Sequence, residues 1–415
     1  MLTNRERLAS YMKAGDIEAV VSWSPVNVRY LTGYWCWLAP LLRENMVSPG
    51  GSAELAQRNV ALFPLEGEPC LVLEPLWALN AAGSWVEDVR VAGNDGFIHG
   101  QPATGLPARV QRLAALVEAR RWPGGPFEAL ADAVHERGLA ASRIGVDLDG
   151  ANPSDRDALR SVLRQAQLLN CSNLLRLVRA QKTEGEIAAL ERAGEIAEAG
   201  VMVALDQVGA GCALGELSQE FRARVASGGA DFDHLSICVA GIGYATDASY
   251  KLPVNEAFYL DFGCVNSGWF SDSGLTVSIG DYDQATAEQY EAVRDSILAG
   301  TALLRPGVRA SSVQAAMVEV LADRGISESF PHGHGLGLEV RDYPLIMPAK
   351  SRLIRDECVE LSADLLLEPD MVVNLEAPVL TPGVRSVHCE QTFVITAEGC
   401  RPLVAQDREH PVLVG

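Results

Sequence analysis

Three acidic residues interrupt apolar, strand-like stretches in the second half of this 415-residue chain: Asp261 in YLDFG, Glu376 in NLEAP and Glu390 in HCEQT. An ionised carboxylate that is buried alone is very costly, so a buried acid must be paired or must bind a metal ion. These acids are far apart in the chain. A fold that buries their strands must therefore bring them to a common partner.

Two further residues extend this pattern. Asp272 lies in FSDSG, eleven residues after Asp261 and across a predicted hairpin, and His334 lies in HGHGLGL. With Asp261, Glu376 and Glu390 they make four carboxylates and one imidazole, which suit two divalent cations. Oxygen-rich ligation favours Mn²⁺ or Fe²⁺, with Co²⁺ and Zn²⁺ as alternatives. Each residue alone is more often structural, as a turn former, a core histidine or half of a salt bridge, but the joint pattern favours a metal site.

The order of predicted elements divides the chain into two domains. Strand-like and helical stretches alternate over the first 170 residues, which is typical of an α/β layered domain. Thr183 and Glu186 form a capping box that opens the longest helical pattern in the chain. Helices begin this second part and strand-like stretches dominate its end. We therefore predict an α/β N-terminal domain over residues 1–172 and an α+β C-terminal domain over residues 173–415.

Composition argues against several classes of protein. The formal charge is −20, and a surface of that sign repels phosphate backbones, so we expect no nucleic-acid partner. No stretch approaches the roughly 18 consecutive apolar residues of a membrane-spanning helix, so we expect no membrane partner. The charged N-terminus lacks the apolar core of a secretory signal, and the nine scattered cysteines, none in a CxxC pair, are expected to be reduced thiols. These features predict a cytoplasmic protein.

The order Asp, Asp eleven residues on, His in a GHGxG segment and two late Glu resembles the signature of the M24 metallopeptidase superfamily, which includes creatinase, prolidase and methionine aminopeptidase. NVRYLTGYW, RAQKTEGEIAALERA and EPDMVVNLEAP are also similar to segments of that superfamily, so the resemblance covers nearly the whole chain. It implies a creatinase-like N-terminal domain, a C-terminal domain of pita-bread fold that holds the catalytic site, and a homodimer. The metal ligands that it implies are Asp261, Asp272, His334, Glu376 and Glu390.

Two cations held close together can lower the pKa of a shared water into the neutral range and stabilise an oxyanion. The hydroxide attacks a carbonyl or amidine carbon, while a neighbouring group protonates the leaving nitrogen. The leading interpretation is a dinuclear metallohydrolase of a C–N bond in a small polar substrate, similar to an Xaa-Pro dipeptidase, with Mn²⁺ as the favoured ion. A metal-dependent lyase on the same scaffold and a non-catalytic binding protein are the alternatives.

One departure from the superfamily falls where its members carry a histidine, seven residues after the metal-bound one. Here that position is Arg341. An arginine stays protonated in proteins and cannot shuttle a proton near neutrality, but it can hold a carboxylate in a two-pronged contact. We therefore expect Arg341 to act as a substrate clamp or charge stabiliser. The alternative is that it pairs with Asp342 or another surface acid.

A second superfamily histidine has no counterpart in the stretch VAGIGYATDASYKLP, where Tyr244 and Asp247 are candidates for substrate contact. His332 and His388 each lie two residues from a candidate ligand, on the same strand face. We hypothesise that His332 or His388 takes over proton transfer. The alternative is that each orients a carboxylate.

Two other stretches bear on activity. In SDSGLT, Gly274 and Leu275 replace the Thr and Arg of the superfamily's SDITRT, which puts ordinary Xaa-Pro dipeptidase activity, but not metal binding, in question. The aromatic residues Tyr34, Trp35 and Trp37 are candidates for reaching the active site of a partner subunit, with simple packing as the alternative.

Overall fold

A computed structural model describes most of the chain, and the described residues form two compact units. Unit 1 comprises Met1–Val178 and Leu353–Leu361, and unit 2 comprises Arg179–Arg352 and Ser362–Gly415. The structure describes residues 3–36, 59–93, 104–108, 110–111, 114, 121–122, 124–149, 153–349 and 352–415. Among the described helices, none combines the length and apolar character that crossing a membrane requires. The predicted domain boundary between residues 172 and 173 stays a prediction.

Unit 1 is built on a seven-stranded sheet. Its strands are β1 (Ala19–Ser22), β2 (Val60–Pro64), β3 (Cys70–Leu73), β4 (Asp88–Ala92), β5 (Arg121–Trp122), β6 (Arg143–Val146) and β7 (Gln167–Asn170). They lie in the order β5-β4-β3-β2-β1-β6-β7. Its helices are α1 (Arg5–Ala14), α2 (Pro25–Thr32), a 3₁₀ helix (Pro75–Gly83), α3 (Pro126–Glu136), α4 (Pro153–Val162) and α5 (Ser172–Ala180). Strands β1, β2 and β3 are buried along their whole length, which explains their nearly continuous apolar sequences.

A buried carboxylate joins three elements of unit 1. Asp147, which directly follows β6, accepts hydrogen bonds from Ser22 Oγ at 2.7 Å and from Asn27 Nδ2 at 2.8 Å.

Tyr34 is buried in unit 1 and donates a hydrogen bond to the Trp77 carbonyl at 3.3 Å. Tyr34 therefore packs within unit 1, as the alternative interpretation held. Trp37 lies outside the described residues.

Unit 2 is built on an eleven-stranded sheet. Its first strands are β8 (Asp231–Val239), β9 (Gly243–Tyr244), β10 (Ala257–Asn266), β11 (Trp269–Phe270), β12 (Ser273–Ile279), β13 (His332–Gly335) and β14 (Asp342–Ile346). A separate two-stranded sheet, formed by β15 (Leu353–Arg355) and β16 (Glu360–Ser362), belongs to unit 1 except for its last residue. The last strands of the large sheet are β17 (Val372–Thr381), β18 (Arg385–Ile395), β19 (Cys400–Pro402) and β20 (Val412–Val414). The main path is β14-β13-β17-β18-β12-β10-β8-β9.

Four helices of unit 2 pack against this sheet through two apolar cores. They are α6 (Glu184–Leu205), α7 (Leu214–Ser227), α8 (Gln284–Thr301) and α9 (Ala310–Asp323). Side chains of α6 and α7 form one core with β8, β10 and β12. Side chains of α8 and α9 form the other with β17 and β18.

Alternation along the strands decides where the acids lie. Leu260 and Phe262 of β10 belong to the first core, and Leu375 of β17 belongs to the second. Successive side chains of a strand point to opposite faces of the sheet. Asp261, between Leu260 and Phe262, and Glu376, after Leu375, therefore lie on the face away from the helices.

The capping box that opens α6 contains a buried acid. Thr183 Oγ1 accepts a hydrogen bond from the Glu186 amide, and Glu186 Oε2 accepts one from the Thr183 amide at 2.7 Å. Burial raises the pKa of Glu186 to about 7, although the hydrogen bond from Thr183 and the charge of Lys182 act in the opposite direction. The folded chain therefore holds a proton that the unfolded chain releases near pH 4.5.

We predict that Glu186→Gln stabilises the protein increasingly as the pH rises from 5 to 8. The wild-type carboxylate must ionise in a buried place, which lowers the free energy of unfolding as the pH rises, whereas glutamine keeps the capping acceptor without a charge. The stability difference between variant and wild type should grow by about 2–3 kcal/mol over this range. Urea unfolding at several pH values, in a chelator to remove metal effects, measures the difference.

The exposed residue Glu184, two residues before Glu186 in the first turn of α6, provides the matched control. Glu184→Gln should change stability by the same small amount at every pH. A pH-independent effect of Glu186→Gln would show that the buried carboxylate does not titrate in this range.

Candidate metal centre

Cross-strand pairing places three acids in one row on the open face of the large sheet. His332 on β13 pairs with Glu376 on β17, and Glu376 pairs with Glu390 on β18. Glu390 pairs with Gly274 on β12, and Gly274 pairs with Asp261 on β10. Five neighbouring strands thus bring residues from distant parts of the chain into a single line.

Asp272 and His334 lie beside this row. Asp272 directly precedes β12, and His334 follows His332 by two residues, so that both rings lie on the same strand face. His334 Nε2 lies 3.3 Å from Asp272 Oδ2 and 4.0 Å from Glu376 Oε1. The five residues predicted as metal ligands, namely Asp261, Asp272, His334, Glu376 and Glu390, therefore lie together on one face.

The His334 ring has the form that a metal ligand needs. Its Nδ1 lies 3.0 Å from the Gly335 carbonyl, which can only accept, so Nδ1 carries the proton. Nε2 then presents a lone pair toward the carboxylates. His334 is 1% exposed, and within the described part of the chain its Nε2 has no hydrogen-bond partner. A divalent cation fits this buried, unpartnered nitrogen.

The acids perturb one another strongly. Burial raises the pKa of Glu390 well above its ordinary value, and the charges of Asp272, Asp261 and Glu376 raise it further. Burial also acts to raise the pKa of Asp272, but the nearby imidazole rings of His234 and His334 outweigh it, so that this pKa is lowered. Buried like charges at such proximity are stable only with compensating positive charge. The cluster therefore fits bound cations.

The two histidines that are candidates for proton transfer differ in their exposure and in the direction of their pKa shifts. His332 Nε2 lies 2.7 Å from Glu376 Oε1, its Nδ1 donates to the Phe330 carbonyl at 2.9 Å, and its side chain is 16% exposed. His388 Nε2 lies 2.9 Å from Glu390 Oε2, and its side chain is only 2% exposed. Burial lowers the pKa of His388, although nearby carboxylates oppose this shift. For His332, burial also acts to lower the pKa, but the contact with Glu376 outweighs it, and the pKa is raised.

Arg341 lies at the rim of the site. Its side chain is 63% exposed, and its guanidinium lies 3.9 Å from Glu376 Oε1. Asp342, the partner that the alternative interpretation gave it, instead lies 3.6 Å from Arg179 Nε and 3.7 Å from Lys182 Nζ. Arg341 is therefore positioned to meet a group that enters from solvent.

The two candidates for substrate contact differ in their surroundings. Asp247 Oδ1 accepts hydrogen bonds from the amide and the hydroxyl of Ser249, at 2.9 and 2.8 Å, so it forms a turn. Tyr244 is half exposed, and its hydroxyl accepts a hydrogen bond from Tyr259 at 3.4 Å. The Tyr259 ring in turn packs on the His388 ring, with 4.7 Å between their centres. Tyr244 is thus linked through Tyr259 to His388, whereas Asp247 is engaged in a turn.

Two family models match this chain. The family model described as Metallopeptidase family M24 matches residues 188–397, and that described as Creatinase/Prolidase N-terminal domain matches residues 4–181. The chain belongs to metallopeptidase family M24. The predicted family and the predicted metallohydrolase class are confirmed, and metallopeptidases of this family use divalent metal ions.

Individual M24 relatives and solved structures show the same relationship. An Xaa-Pro dipeptidase from Lactobacillus delbrueckii subsp. lactis is 26% identical over 297 residues, which cover 69% of this chain and 77% of that protein. A dipeptidase structure from Pyrococcus horikoshii OT3 superposes with a TM-score of 0.75 at 18% identity, covering 99% of both chains. An Xaa-Pro dipeptidase structure from Bacillus anthracis gives a TM-score of 0.73 at 21% identity, covering 99% of this chain and 98% of that one. The predicted α/β N-terminal domain and pita-bread C-terminal domain are confirmed.

Sequence reasoning missed two residues of this M24 site. His234 on β8 lies 2.9 Å from Asp261 Oδ1 and 3.4 Å from Asp272 Oδ1. Burial acts to lower the pKa of His234, but hydrogen bonds with neighbouring carboxylates raise it to about 12. The stretch VAGIGYATDASYKLP, at the end of β8 and after it, contains no histidine, whereas His234 lies within β8, the strand that precedes YLDFG.

The other missed residue is Asn374 on β17, which is fully buried. Its Nδ2 donates to Glu390 Oε1 at 2.9 Å and to the Asp272 carbonyl at 3.2 Å. Thr392 Oγ1 donates to the same carbonyl at 3.1 Å. One amide group therefore fixes both a carboxylate and the main chain of a second acid.

Two glycines give the row the space it needs. A Cβ atom at Gly333, between the two histidines of β13, would lie 2.1 Å from the Asn374 carbonyl. A Cβ atom at Gly274 would lie 2.3 Å from His388 Cδ2 and 2.6 Å from Glu390 Oε2. Only glycine at position 274 leaves room for the His388 ring beside Glu390.

We predict that Gly274→Ala destabilises the metal-free protein by about 1–3 kcal/mol, because the added methyl group overpacks the row. Adding His388→Ala to this variant should cost less than the sum of the two single changes, since it removes the ring that the methyl group meets. Thermal unfolding of the two single variants and the double variant measures the coupling.

Gly185→Ala is the matched control, because a Cβ atom there meets nothing within 4 Å. It should leave the melting temperature unchanged or slightly raised, because alanine is the better helix former. Strictly additive effects of Gly274→Ala and His388→Ala would contradict the packing argument.

Proposed function

We propose that this M24 chain is a dinuclear metal-dependent hydrolase of a C–N bond in a small polar substrate, similar to an Xaa-Pro dipeptidase but with altered catalytic residues. The observation that carries the proposal is the convergence of four carboxylates with the buried Nε2 of His334, which has no hydrogen-bond partner among the described residues. Xaa-Pro dipeptidases among the similar proteins support a dipeptide as the substrate. The predicted homodimer and the cytoplasmic location stay predictions.

Five side chains are proposed to hold two divalent ions. They are Asp261, Asp272, His334, Glu376 and Glu390. Four carboxylates against one imidazole make an oxygen-rich donor set, which favours Mn²⁺ and leaves Fe²⁺, Co²⁺ and Zn²⁺ as alternatives. When bound, such ions lower the pKa of a coordinated water and stabilise negative charge on the scissile carbonyl.

The protein supplies orientation and proton transfer. Asn374 fixes Glu390 through Oε1, and the other carboxylate oxygen, Oε2, contacts His388 at 2.9 Å. His332 is the better candidate for protonating the leaving nitrogen, because its ring is partly exposed and anchored by the Phe330 carbonyl. His388 is buried against Glu390 and is proposed to orient that carboxylate.

Arg341 is proposed to hold the carboxylate of the substrate. Its guanidinium is exposed at the rim and close to Glu376, so it can pair with an anionic group while the scissile bond lies over the acids. A planar guanidinium binds a carboxylate with two parallel hydrogen bonds, which also fixes the direction of the substrate.

We predict that chelation abolishes hydrolysis of Xaa-Pro dipeptides and that Mn²⁺ restores it. Glu390→Gln should lower turnover at least about 100-fold, because it removes a charge at the centre of the carboxylate cluster. Metal content by mass spectrometry and product analysis over a dipeptide panel measure both effects.

Glu398→Gln, at an exposed position of the same unit, is the control and should retain full activity. Metal-dependent elimination products in place of hydrolysis products would support the lyase alternative. A metal-replete chain that binds dipeptides but turns none over would support the binding-protein alternative.

We predict that His332→Ala and Arg341→Met separate turnover from binding. Loss of a general acid should lower kcat by about 100-fold or more with metal content unchanged. Loss of the guanidinium should instead raise KM for dipeptides with a free carboxylate, and have little effect on the corresponding amides. Steady-state kinetics on the acid and amide forms measures the split.

His388→Ala is the comparison variant for His332→Ala. If His388 only orients Glu390, its loss should weaken metal binding, and saturating metal should recover most of kcat. Unchanged kcat in both histidine variants would remove proton transfer from these residues.

A further inference from the structure

We propose that His234 is an additional metal ligand, which binds the same ion as Asp261 and Asp272 and is held in place by Asp233. This inference rests on the proposed metal centre, but it adds a donor to the five residues assigned there. His234 lies on β8, a strand that contributes none of those five.

The distances between donor atoms carry the argument. His234 Nε2 lies 2.9 Å from Asp261 Oδ1 and 3.4 Å from Asp272 Oδ1. Nitrogen and oxygen donors lie about 2.0–2.2 Å from ions such as Zn²⁺, so two adjacent donors of one ion lie roughly 2.9–3.5 Å apart. The three side chains have the spacing of three donors to a single cation.

The second ring nitrogen of His234, Nδ1, is already hydrogen-bonded. Nδ1 lies 2.7 Å from Asp233 Oδ2, so its proton is donated to that carboxylate. A carboxylate in this position fixes the tautomer and the ring orientation, and it makes the opposite nitrogen a better ligand. Because Nδ1 keeps its proton for Asp233, Nε2 is the nitrogen that would give up its proton to bind a cation beside Asp261 and Asp272.

Backbone packing explains why the ring can reach the acids. His234 pairs across the strands with Gly263 of β10, two residues after Asp261. A Cβ atom at Gly263 would lie 2.6 Å from His234 Cε1. The absent side chain lets the imidazole lie over the backbone of β10 and point along it toward Asp261.

An independent observation points to a cation beside the same acids. His334 Nε2, buried and without a hydrogen-bond partner among the described residues, lies 3.3 Å from Asp272 Oδ2. Asp272 thus has an imidazole nitrogen near each of its carboxylate oxygens. Imidazole ligands suit Zn²⁺, Co²⁺ and Fe²⁺, whereas carboxylates suit Mn²⁺, so His234 shifts the preference of this ion toward the first group.

The test uses the full-length protein, freed of metal by chelator dialysis and titrated separately with Co²⁺ and Mn²⁺. His234→Gln should weaken Co²⁺ binding at one of two sites by at least 100-fold and weaken Mn²⁺ binding less, so that the Co²⁺ to Mn²⁺ preference falls. Asp233→Asn should weaken Co²⁺ binding by about 10–100-fold, because the ring is kept but its orienting carboxylate is lost. His135→Gln, at an exposed helix position in unit 1, is the control and should change neither affinity.

A second readout needs no variant. Proton NMR of the Co²⁺-loaded wild-type chain should show two strongly shifted, exchangeable ring N–H signals, from the Nδ1–H groups of His234 and His334. A single such signal, or metal affinities unchanged in His234→Gln, would overturn the inference while leaving the metal centre intact. A wild-type chain that binds no Co²⁺ or Mn²⁺ would overturn the proposed function itself.

Discussion

The mutual repulsion of four carboxylates on one sheet face is the constraint that organises unit 2. Asp261, Glu376 and Glu390 lie in one cross-strand row, and Asp272 lies beside them. Burial and the neighbouring charges push the pKa of Glu390 upward, so the cluster is stable only where positive charge compensates it. Histidine rings and, as proposed, divalent cations supply that charge. The apolar cores on the opposite face hold the strands in the register that this arrangement needs.

Strand periodicity made the acids predictable from the sequence. An acid within an apolar strand must face away from the core, and Asp261 and Glu376 do so because Leu260 and Leu375 face the helices. The same reasoning could not find His234. Its approach to Asp261 depends on how β8 pairs with β10 and on the absence of a side chain at Gly263, and a single sequence does not reveal cross-strand register.

The sequence shows that Gly274 departs from the superfamily's SDITRT motif, but it does not show why. In the folded chain the cause is space: the His388 ring occupies the volume that a side chain on β12 would need, and it contacts Glu390 there. The role of Asn374 could not be predicted from the sequence for a related reason. An amide within a strand carries no local signal, and its importance comes from reaching both Glu390 and the main chain of Asp272, which lie on two other segments.

Each acid of the row contacts its own imidazole: Asp261 contacts His234 at 2.9 Å, Glu390 contacts His388 at 2.9 Å, and Glu376 contacts His332 at 2.7 Å. These rings stand on hydrogen-bonded strands of the large sheet, so their positions are preorganised for chemistry. Arg341 cannot transfer a proton, but it does not need to if a strand-borne ring does so. The exposed guanidinium can then select the charge of the substrate. His332, with 16% of its side chain exposed against 2% for His388, remains accessible for proton exchange with solvent.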